Sequence, residues 1–245
     1  MTPFVDYDRA ADRYEAGRKL EEDGLEAWRQ AVTARVAPSG LRILDIGAGT
    51  GIFARAWIAW GAREVVAVEP SAAMREQAVA RASPGVRVVD GTTDALPVDT
   101  SAVDVVWMSA VLHHVRGRDR CANEIRRVLR RGGYLLVRGY FPDRSRVPWL
   151  DWLPGAERAR ARFPSAGEAR SLFAAHGLRW VDATEVPDPR AHSREAAAAW
   201  IERMRDADSL LTALTPAEVD AGIAALRAEP AELLPPLALT LLTFT

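Results

Sequence analysis

Cysteine and lysine are almost absent from this sequence of 245 residues. Cys121 is the only cysteine, so no disulfide can form within the chain, and a reducing compartment is the simplest environment for it. Lys19 is the only lysine, so nearly all positive charge is carried by arginine. This imbalance, together with abundant alanine, is typical of a GC-rich genome and indicates no particular function.

Strong net charge and long apolar runs are also missing. The formal net charge of -1 argues against a protein that binds nucleic acid mainly by neutralising phosphates. No apolar run approaches the length of a membrane span. Charged side chains at Asp6, Asp8, Arg9 and Asp12 occupy the region where a signal peptide would have its apolar core. We therefore expect a cytoplasmic monomer or homodimer that binds neither membrane nor nucleic acid.

Short apolar segments alternate with helical patterns along most of the chain. Strands are predicted at 41–46, 64–69, 86–90, 103–109, 133–140, 178–186 and 237–245. Helices are predicted between the early strands at 51–60, 71–82 and 119–130. This alternation favours an α/β fold with a mainly parallel sheet and helices on both faces. Ligands in such sheets bind at the carboxyl ends of the strands.

A glycine-rich turn follows the first predicted strand in LRILDIGAGTG, residues 41–51. Gly47, Gly49 and Gly51 lack the Cβ atoms that would hold a ligand away from the backbone. Their alternate spacing differs from the dinucleotide fingerprint, whose third glycine comes one position later. Glu69 ends the second strand, where a carboxylate suits two ribose hydroxyls. The pattern predicts a nucleoside-containing ligand.

The turn and its neighbours resemble the class I S-adenosylmethionine-dependent methyltransferases. The resemblance is carried by LDIGAGTG at 44–51, VEPS at 68–71, GTTDALP at 91–97, VDVVWMSAVLHHV at 103–115 and EIRRVLRRGGYLLV at 124–137. It covers residues 7–139 and looks most like the ubiquinone- and menaquinone-biosynthesis branch, which includes many small-molecule methyltransferases. It implies a Rossmann-like, seven-stranded, mostly parallel sheet with an antiparallel last strand.

The resemblance implies S-adenosylmethionine as cofactor, with S-adenosylhomocysteine as product. Asp45 would fix the glycine turn or meet the cofactor's amino group, Glu69 would bind the ribose, and Ser109 would line the sulfonium side. The full set of implied cofactor-binding residues is Tyr14, Arg18, Asp45, Gly47, Ala48, Gly49, Thr50, Glu69, Pro70, Met74, Thr92, Thr93, Asp94 and Ser109.

Two adjacent histidines, His113 and His114, are the candidate catalytic residues. An imidazole has a pKa near neutrality and suits a base that takes a proton from a hydroxyl or acidic carbon. One of the two is equally suited to a structural hydrogen bond. We expect no metal, because the sequence has no clustered His, Asp and Glu set for a divalent ion.

Three segments elaborate the single domain expected over residues 1–245. Residues 1–40 would form an N-terminal helical cover, and 141–164 with 190–235 would form a lid that contains an inserted helical pair. Tyr7, Trp149, Trp152 and Phe163 are the candidates for an apolar acceptor pocket, although the lid residues also suit simple packing. His176 and His192 are expected at the surface or at helix caps.

We therefore expect in-line transfer of a methyl group to a small-molecule acceptor, in specialised or cofactor metabolism. The accepting atom, O, N, S or C, is left open. One alternative is a methyltransferase that acts on a peptide or another macromolecule. The other is a protein that binds the cofactor for a role other than methylation.

Overall fold

The computed structural model describes residues 22–188 and 192–245. Its strands are β1 (Arg42–Ile46), β2 (Glu64–Val68), β3 (Val86–Val89), β4 (Val103–Ser109), β5 (Leu129–Gly139), β6 (Trp180–Pro187) and β7 (Ala238–Phe244). Its α-helices are α1 (Glu22–Thr33), α2 (Ile52–Ala59), α3 (Ala72–Ala80), α4 (Arg118–Val128), α5 (Ala156–Arg160), α6 (Ala166–Ala175), α7 (Arg194–Met204) and α8 (Pro216–Arg227). Within these residues, no helix has the length and apolar character needed to cross a membrane.

The described residues form one seven-stranded sheet in the order β3-β2-β1-β4-β5-β7-β6. The pairs among β1 to β5 are parallel, whereas β7 runs antiparallel to both β5 and β6. This is the Rossmann-like sheet that the sequence predicts, including its antiparallel last strand. The carboxyl ends of β1, β2 and β4 therefore meet at one edge, where the glycine turn also begins.

The sheet is buried because helices cover both faces. On one face, Trp28 of α1 and Phe53 and Trp57 of α2 pack against the sheet. On the other face, Ile125 of α4 and Phe173 of α6 fill the corresponding layer. With both faces covered, central strands such as β1 and β4 are almost entirely buried, as expected for parallel strands.

A separate helical layer, which we call the cap, covers the carboxyl ends of the strands. It is built from residues 141–164 and 192–237, which share their own apolar core. Trp149 and Leu153 come from the first segment, and Ile201 and Leu226 come from the second. Gly222 of α8 allows close packing, because a Cβ there would lie 2.6 Å from Leu153 Cγ.

Local sequence signals explain where the cap helices begin. Thr215 and Glu218 form a capping box at the start of α8, with Pro216 in the first turn. The segment 141–164, in contrast, differs from the loop expected there: it contains α5 and a 3-10 turn at Pro148–Trp152. Burial of Trp149 and Leu150 in the cap core stabilises this short turn, and the isolated sequence has no strong helical period.

Candidate active site

The glycine turn after β1 has a backbone that only glycine adopts easily. Gly47, Gly49 and Gly51 have φ angles of +66°, +56° and +77°, in the left-handed region. A Cβ on Gly47 would also lie 2.4 Å from Val111 Cγ2. The glycine spacing in the sequence therefore reflects both backbone conformation and close packing against the segment after β4.

Glu69 connects the end of β2 to this turn. Its Oε2 accepts a hydrogen bond from Gly49 N at 2.9 Å, and its Oε1 accepts one from Ser71 N at 2.9 Å. Ser71 in turn caps α3 by accepting from Met74 N through its Oγ. The buried carboxylate thus holds the turn and the start of α3 in a fixed relation.

Asp45 and Thr50 place polar side-chain atoms in the interior. Neither carboxylate oxygen of Asp45, nor Thr50 Oγ1, has a hydrogen-bond partner within residues 22–188 and 192–245. Burial raises the pKa of Asp45 well above its usual range, and the nearby negative charge of Glu69 raises it further. Buried polar groups are normally satisfied, so these acceptor atoms are suited to a ligand that donates hydrogen bonds.

A cavity of about 520 Å³ lies between the carboxyl ends of the strands and the cap. Its sheet side is formed by the glycine turn and by the segments that follow β4 and β5. Its cap side is mainly apolar, with the aromatic residues Trp149, Phe163 and Trp200 among its lining. This size is within the range of small-molecule sites.

The structure brings some of the sequence-predicted residues to this cavity and leaves others outside its lining. The predicted residues that line it are Asp45, Gly47, Ala48, Gly49, Thr50, Ser109, His113, Trp149 and Phe163. Those outside its lining are Glu69, Pro70, Met74, Thr92, Thr93, Asp94, His114 and Trp152. Tyr7, Tyr14 and Arg18 lie outside the described residues.

Residues predicted around the adenine have their own contacts at the ends of β2 and β3. Thr92 Oγ1 donates to Asp94 Oδ1 at 2.7 Å, which lowers the pKa of Asp94 together with smaller contributions that include Arg120. Met74 is fully buried in α3. Trp152, predicted for the acceptor pocket, instead has the Arg194 guanidinium 4.0 Å from its ring centroid.

The two candidate histidines lie on a 3-10 turn, Leu112–His114, directly after β4. Their rings are 4.0 Å apart, and the His113 ring lies 4.4 Å from that of Phe163. Ser209 Oγ is 3.1 Å from His113 Nε2 and 3.4 Å from His114 Nε2. Ala110, just before the turn, has φ +58°, a conformation that costs a non-glycine residue about 1–3 kcal/mol.

Sequence reasoning missed several residues that line the cavity. Arg138 is buried at the end of β5, where its Nη1 donates to Ser109 Oγ at 3.0 Å. Its guanidinium lies 4.6 Å from the Trp28 ring and 5.2 Å from the Phe53 ring. A charge inside the apolar run 134–140 was a usable signal, because strands rarely bury an arginine without a specific site for it.

The other missed residues depend on the cap. Tyr140 and Ser209 line the cavity, and burial is the main cause of the raised pKa of Tyr140. His192, whose side chain is 34% exposed, also lines it, with Nε2 3.6 Å from Asp188 Oδ2. His176, in contrast, is the C-cap residue of α6.

Within the described ranges, no group of His, Cys, Asp and Glu has the arrangement of a metal site.

Comparison with known proteins decides the family. Residues 44–137 match the family described as a methyltransferase domain. The demethylmenaquinone methyltransferase of Thermobifida fusca is 32% identical over 204 residues, covering 79% of this chain and 78% of that protein. The chain belongs to the class I S-adenosylmethionine-dependent methyltransferases.

Further similarities agree with this assignment. A methyltransferase of unassigned activity from a Mycobacterium species is 35% identical to this methyltransferase over 188 residues, covering 70% of this chain and 73% of that protein. A crystal structure described as a methyltransferase of an antibiotic biosynthesis pathway, from Anabaena variabilis, has the same fold, with a TM-score of 0.67 and 24% identity. The matched region covers 89% of this chain and 96% of the Anabaena variabilis chain.

S-adenosylmethionine is therefore the cofactor, and the geometry is compatible with it. Its methionyl end carries an ammonium group and needs close approach to the backbone. Gly47 and Gly49 line the cavity, and beside them Asp45 and Thr50 offer acceptors that no described residue occupies.

Proposed function

We propose that this methyltransferase methylates a small molecule bound between the glycine turn and the cap. The observation that carries the proposal is the cavity itself, which joins Asp45 and Gly49 on the sheet side to Trp149 and Trp200 on the cap side. One continuous space of this kind can hold the methyl donor and an apolar acceptor in contact. Such contact is what in-line displacement requires.

On the sheet side, the cofactor-binding set predicted from the sequence is retained. Asp45 accepts from the cofactor's ammonium group, Glu69 binds the ribose, and Ser109 lines the sulfonium side. The remaining proposed contacts are Gly47 to Thr50 along the turn, Pro70, Met74 and Thr92 to Asp94 near the adenine, and Tyr14 and Arg18 over the carboxylate. When bound, the cofactor supplies an electrophilic methyl group on a positively charged sulfur.

On the cap side, aromatic and aliphatic side chains bind the body of the acceptor and exclude water. Trp149 and Trp200 have ring centroids 5.3 Å apart, and Phe163 stands beside His113. The two lid segments therefore serve as the acceptor-binding elaboration of one domain over 1–245. Tyr7 remains a candidate for this pocket, whereas Trp152 is not included because its ring faces Arg194.

His113 is the proposed base, and His114 the histidine with the structural hydrogen bond. His113 is buried and lines the cavity, whereas His114 does not line it. A base here takes the proton that a hydroxyl or an acidic carbon loses on methylation. Methyl transfer itself needs alignment more than covalent help, so no metal is part of the proposal.

The acceptor belongs to specialised or cofactor metabolism, and the protein to the cytoplasm. A relative named demethylmenaquinone methyltransferase supports a small-molecule acceptor. The single cysteine is compatible with a reducing compartment.

The test uses purified protein, methyl-labelled S-adenosylmethionine and a fractionated extract of cells that carry its gene. We expect label in a small-molecule fraction and little transfer with the Glu69→Ala variant, which serves as the control. Label in protein or nucleic acid would instead indicate a macromolecular acceptor. An absence of transfer, with cofactor binding confirmed by calorimetry, would indicate a role other than methylation.

A further inference from the structure

A cap residue, Ser209, contacts both candidate histidines. It lies between α7 and the 3-10 turn Leu211–Ala213, and only 3% of its surface is exposed. Within the described residues, the hydrogen-bond partners of its hydroxyl are His113 Nε2 at 3.1 Å and His114 Nε2 at 3.4 Å. The hydroxyl thus bridges one atom from each ring.

The position of Ser209 is fixed by its neighbours. Asp208 Oδ1 accepts hydrogen bonds from Leu210 N at 2.9 Å and from Leu211 N at 3.4 Å, which holds the start of the 3-10 turn. Leu210 and Leu211 are buried in the cap core. A side chain held in this way presents its hydroxyl to the histidines at little entropic cost.

A hydroxyl between two imidazole nitrogens limits which of the two nitrogens can carry a proton. It has one proton to donate, and its oxygen accepts a hydrogen bond from a nitrogen that carries a proton. Because the hydroxyl is buried, both interactions must be satisfied by the two Nε2 atoms. Neutral His113 and His114 therefore take opposite tautomers, one with a proton on Nε2 and the other with a lone pair there.

We propose that Ser209 is a positioning residue through which the cap sets complementary protonation states on His113 and His114, for an acceptor that loses a proton when it is methylated. This inference rests on the proposed function and narrows the acceptor to a molecule whose accepting atom carries a proton, such as a hydroxyl or an acidic C–H group. Neither the glycine turn nor the histidine pair in the sequence identifies Ser209, which is 95 residues from His114.

The proton and charge balance follows from the same contacts. As the bond from sulfur to methyl breaks and the bond from the acceptor to methyl forms, the acceptor's proton moves to Nδ1 of His113, the nitrogen that has the lone pair when Nε2 carries the proton. The resulting imidazolium donates from Nε2 to Ser209 Oγ, whose own proton remains bonded to His114 Nε2. Positive charge lost from sulfur is thereby offset by positive charge on the histidine pair.

The first test is nuclear magnetic resonance of the whole chain with ¹⁵N-labelled histidine. The sequence has four histidines, so single substitutions assign every imidazole signal. At neutral pH we expect one Nε2 of the pair to give a protonated-nitrogen signal and the other a lone-pair signal. Ser209→Ala should remove this difference, and Ser209→Thr, which keeps the hydroxyl, should restore it.

Ser145→Ala is the matched control for loss of a buried hydroxyl. Ser145 Oγ accepts from Phe141 N at 3.0 Å and lies 2.9 Å from Thr240 Oγ1, away from the histidines. This variant should lose stability without changing the histidine signals. Signals of the same type on both Nε2 atoms, or an unchanged pattern in Ser209→Ala, would overturn the inference.

The second test measures single-turnover methyl transfer to the extract fraction that takes up label. Ser209→Ala should slow transfer about three- to tenfold, the range expected for one hydrogen bond, while the affinity for S-adenosylhomocysteine stays the same. Ser209→Thr should recover most of the rate, and equal rates in wild type and Ser209→Ala would overturn the inference. Absence of transfer in the wild type would refute the proposed function. The tautomer signals of His113 and His114 test the positioning role of Ser209 independently of methyl transfer.

Discussion

The carboxylate of Glu69 accepts a hydrogen bond from the backbone N–H of Gly49, with 2.9 Å between Oε2 and N. The residue predicted to bind the ribose therefore also holds the turn predicted to surround the methionyl group. Its other oxygen bonds Ser71 N at the start of α3. Turn geometry and cofactor affinity are consequently linked through one side chain.

Replacement of Glu69 should weaken cofactor binding more than loss of the ribose contacts alone. Glu69→Ala removes the charged acceptor of the part-buried N–H groups of Gly49 and Ser71, and a hydrogen bond to a charged group contributes about 1.5–3 kcal/mol. We expect at least tenfold weaker binding of S-adenosylhomocysteine by calorimetry, with an unchanged circular dichroism spectrum. Glu69→Gln, which keeps one acceptor oxygen, should lose less. Unchanged affinity in Glu69→Ala would contradict the assignment.

Asp45 should make cofactor affinity depend on pH. Burial raises the pKa of its carboxyl in the free protein, whereas a bound ammonium group favours the ionised form. At a pH between the usual carboxyl pKa and the raised pKa, cofactor binding therefore releases a proton from Asp45. The affinity for the cofactor falls as the pH decreases through this range. Calorimetry in two buffers of different ionisation enthalpy measures this release, which Asp45→Asn should abolish.

The same raised pKa predicts that Asp45→Asn stabilises the free protein. A carboxyl whose folded-state pKa exceeds its unfolded-state pKa contributes stability at low pH that is lost as pH rises through the folded-state value. At neutral pH, the uncharged amide of Asp45→Asn removes the cost of burying the carboxyl of Asp45. Thermal unfolding should show a higher Tm, by about 2–4 °C for each kcal/mol gained, while cofactor affinity falls. A lower Tm at neutral pH would contradict this reasoning.

Gly47→Ala should destabilise the protein through two separable effects. The φ of +66° costs an alanine about 1–2 kcal/mol, and the clash with Val111 adds about 1–3 kcal/mol. Gly40→Ala is the control, because Gly40 has φ +77° but a Cβ at this position would have no neighbouring atom within 4 Å. Chemical denaturation should show the smaller loss for Gly40→Ala, and equal losses would exclude the steric contribution.

Two tryptophans of the cap distinguish acceptor binding from cap stability. Trp200 lines the cavity and Trp152 does not, although both are half-buried. Trp200→Leu should raise the KM for the labelled acceptor and leave the affinity for S-adenosylhomocysteine unchanged. Trp152→Leu should affect Tm without changing KM. A similar KM in both variants would place the acceptor elsewhere.

The sheet and the cofactor edge could be predicted from sequence because their signals are local. The glycines at 47, 49 and 51 reflect a requirement of the backbone conformation, and the buried positions of β1 and β4 reflect a requirement of the sheet core. Both requirements act over a few residues of sequence. Strand boundaries were less accurate, since β5 begins at Leu129 and the pattern indicated residue 133. Pairing of Leu129 with Val103 extends that strand, and such pairing is not encoded locally.

The cap side of the cavity could be predicted only in part, through Trp149 and Phe163, because it is assembled from distant segments. His192 and Ser209 reach the cavity only after residues 141–164 and 192–237 pack on one another. A histidine in a polar stretch such as 188–194 has no periodic pattern to indicate which way it faces. Among the missed residues that line the cavity, Arg138 alone had a usable signal in the sequence, which was a charged residue within an apolar run.

The position of β7 in the sheet determines the order in which this protein can fold during synthesis. β7 is the neighbour of both β5 and β6, and it is the last strand of the described sheet to leave the ribosome. Until residues 238–244 emerge, one edge of β5 lacks its neighbouring strand, and β6 lacks its partner in the described sheet. Nascent chains of this protein therefore expose an unpaired strand edge for the time needed to synthesise the second cap segment, and such an edge favours pairing with another chain.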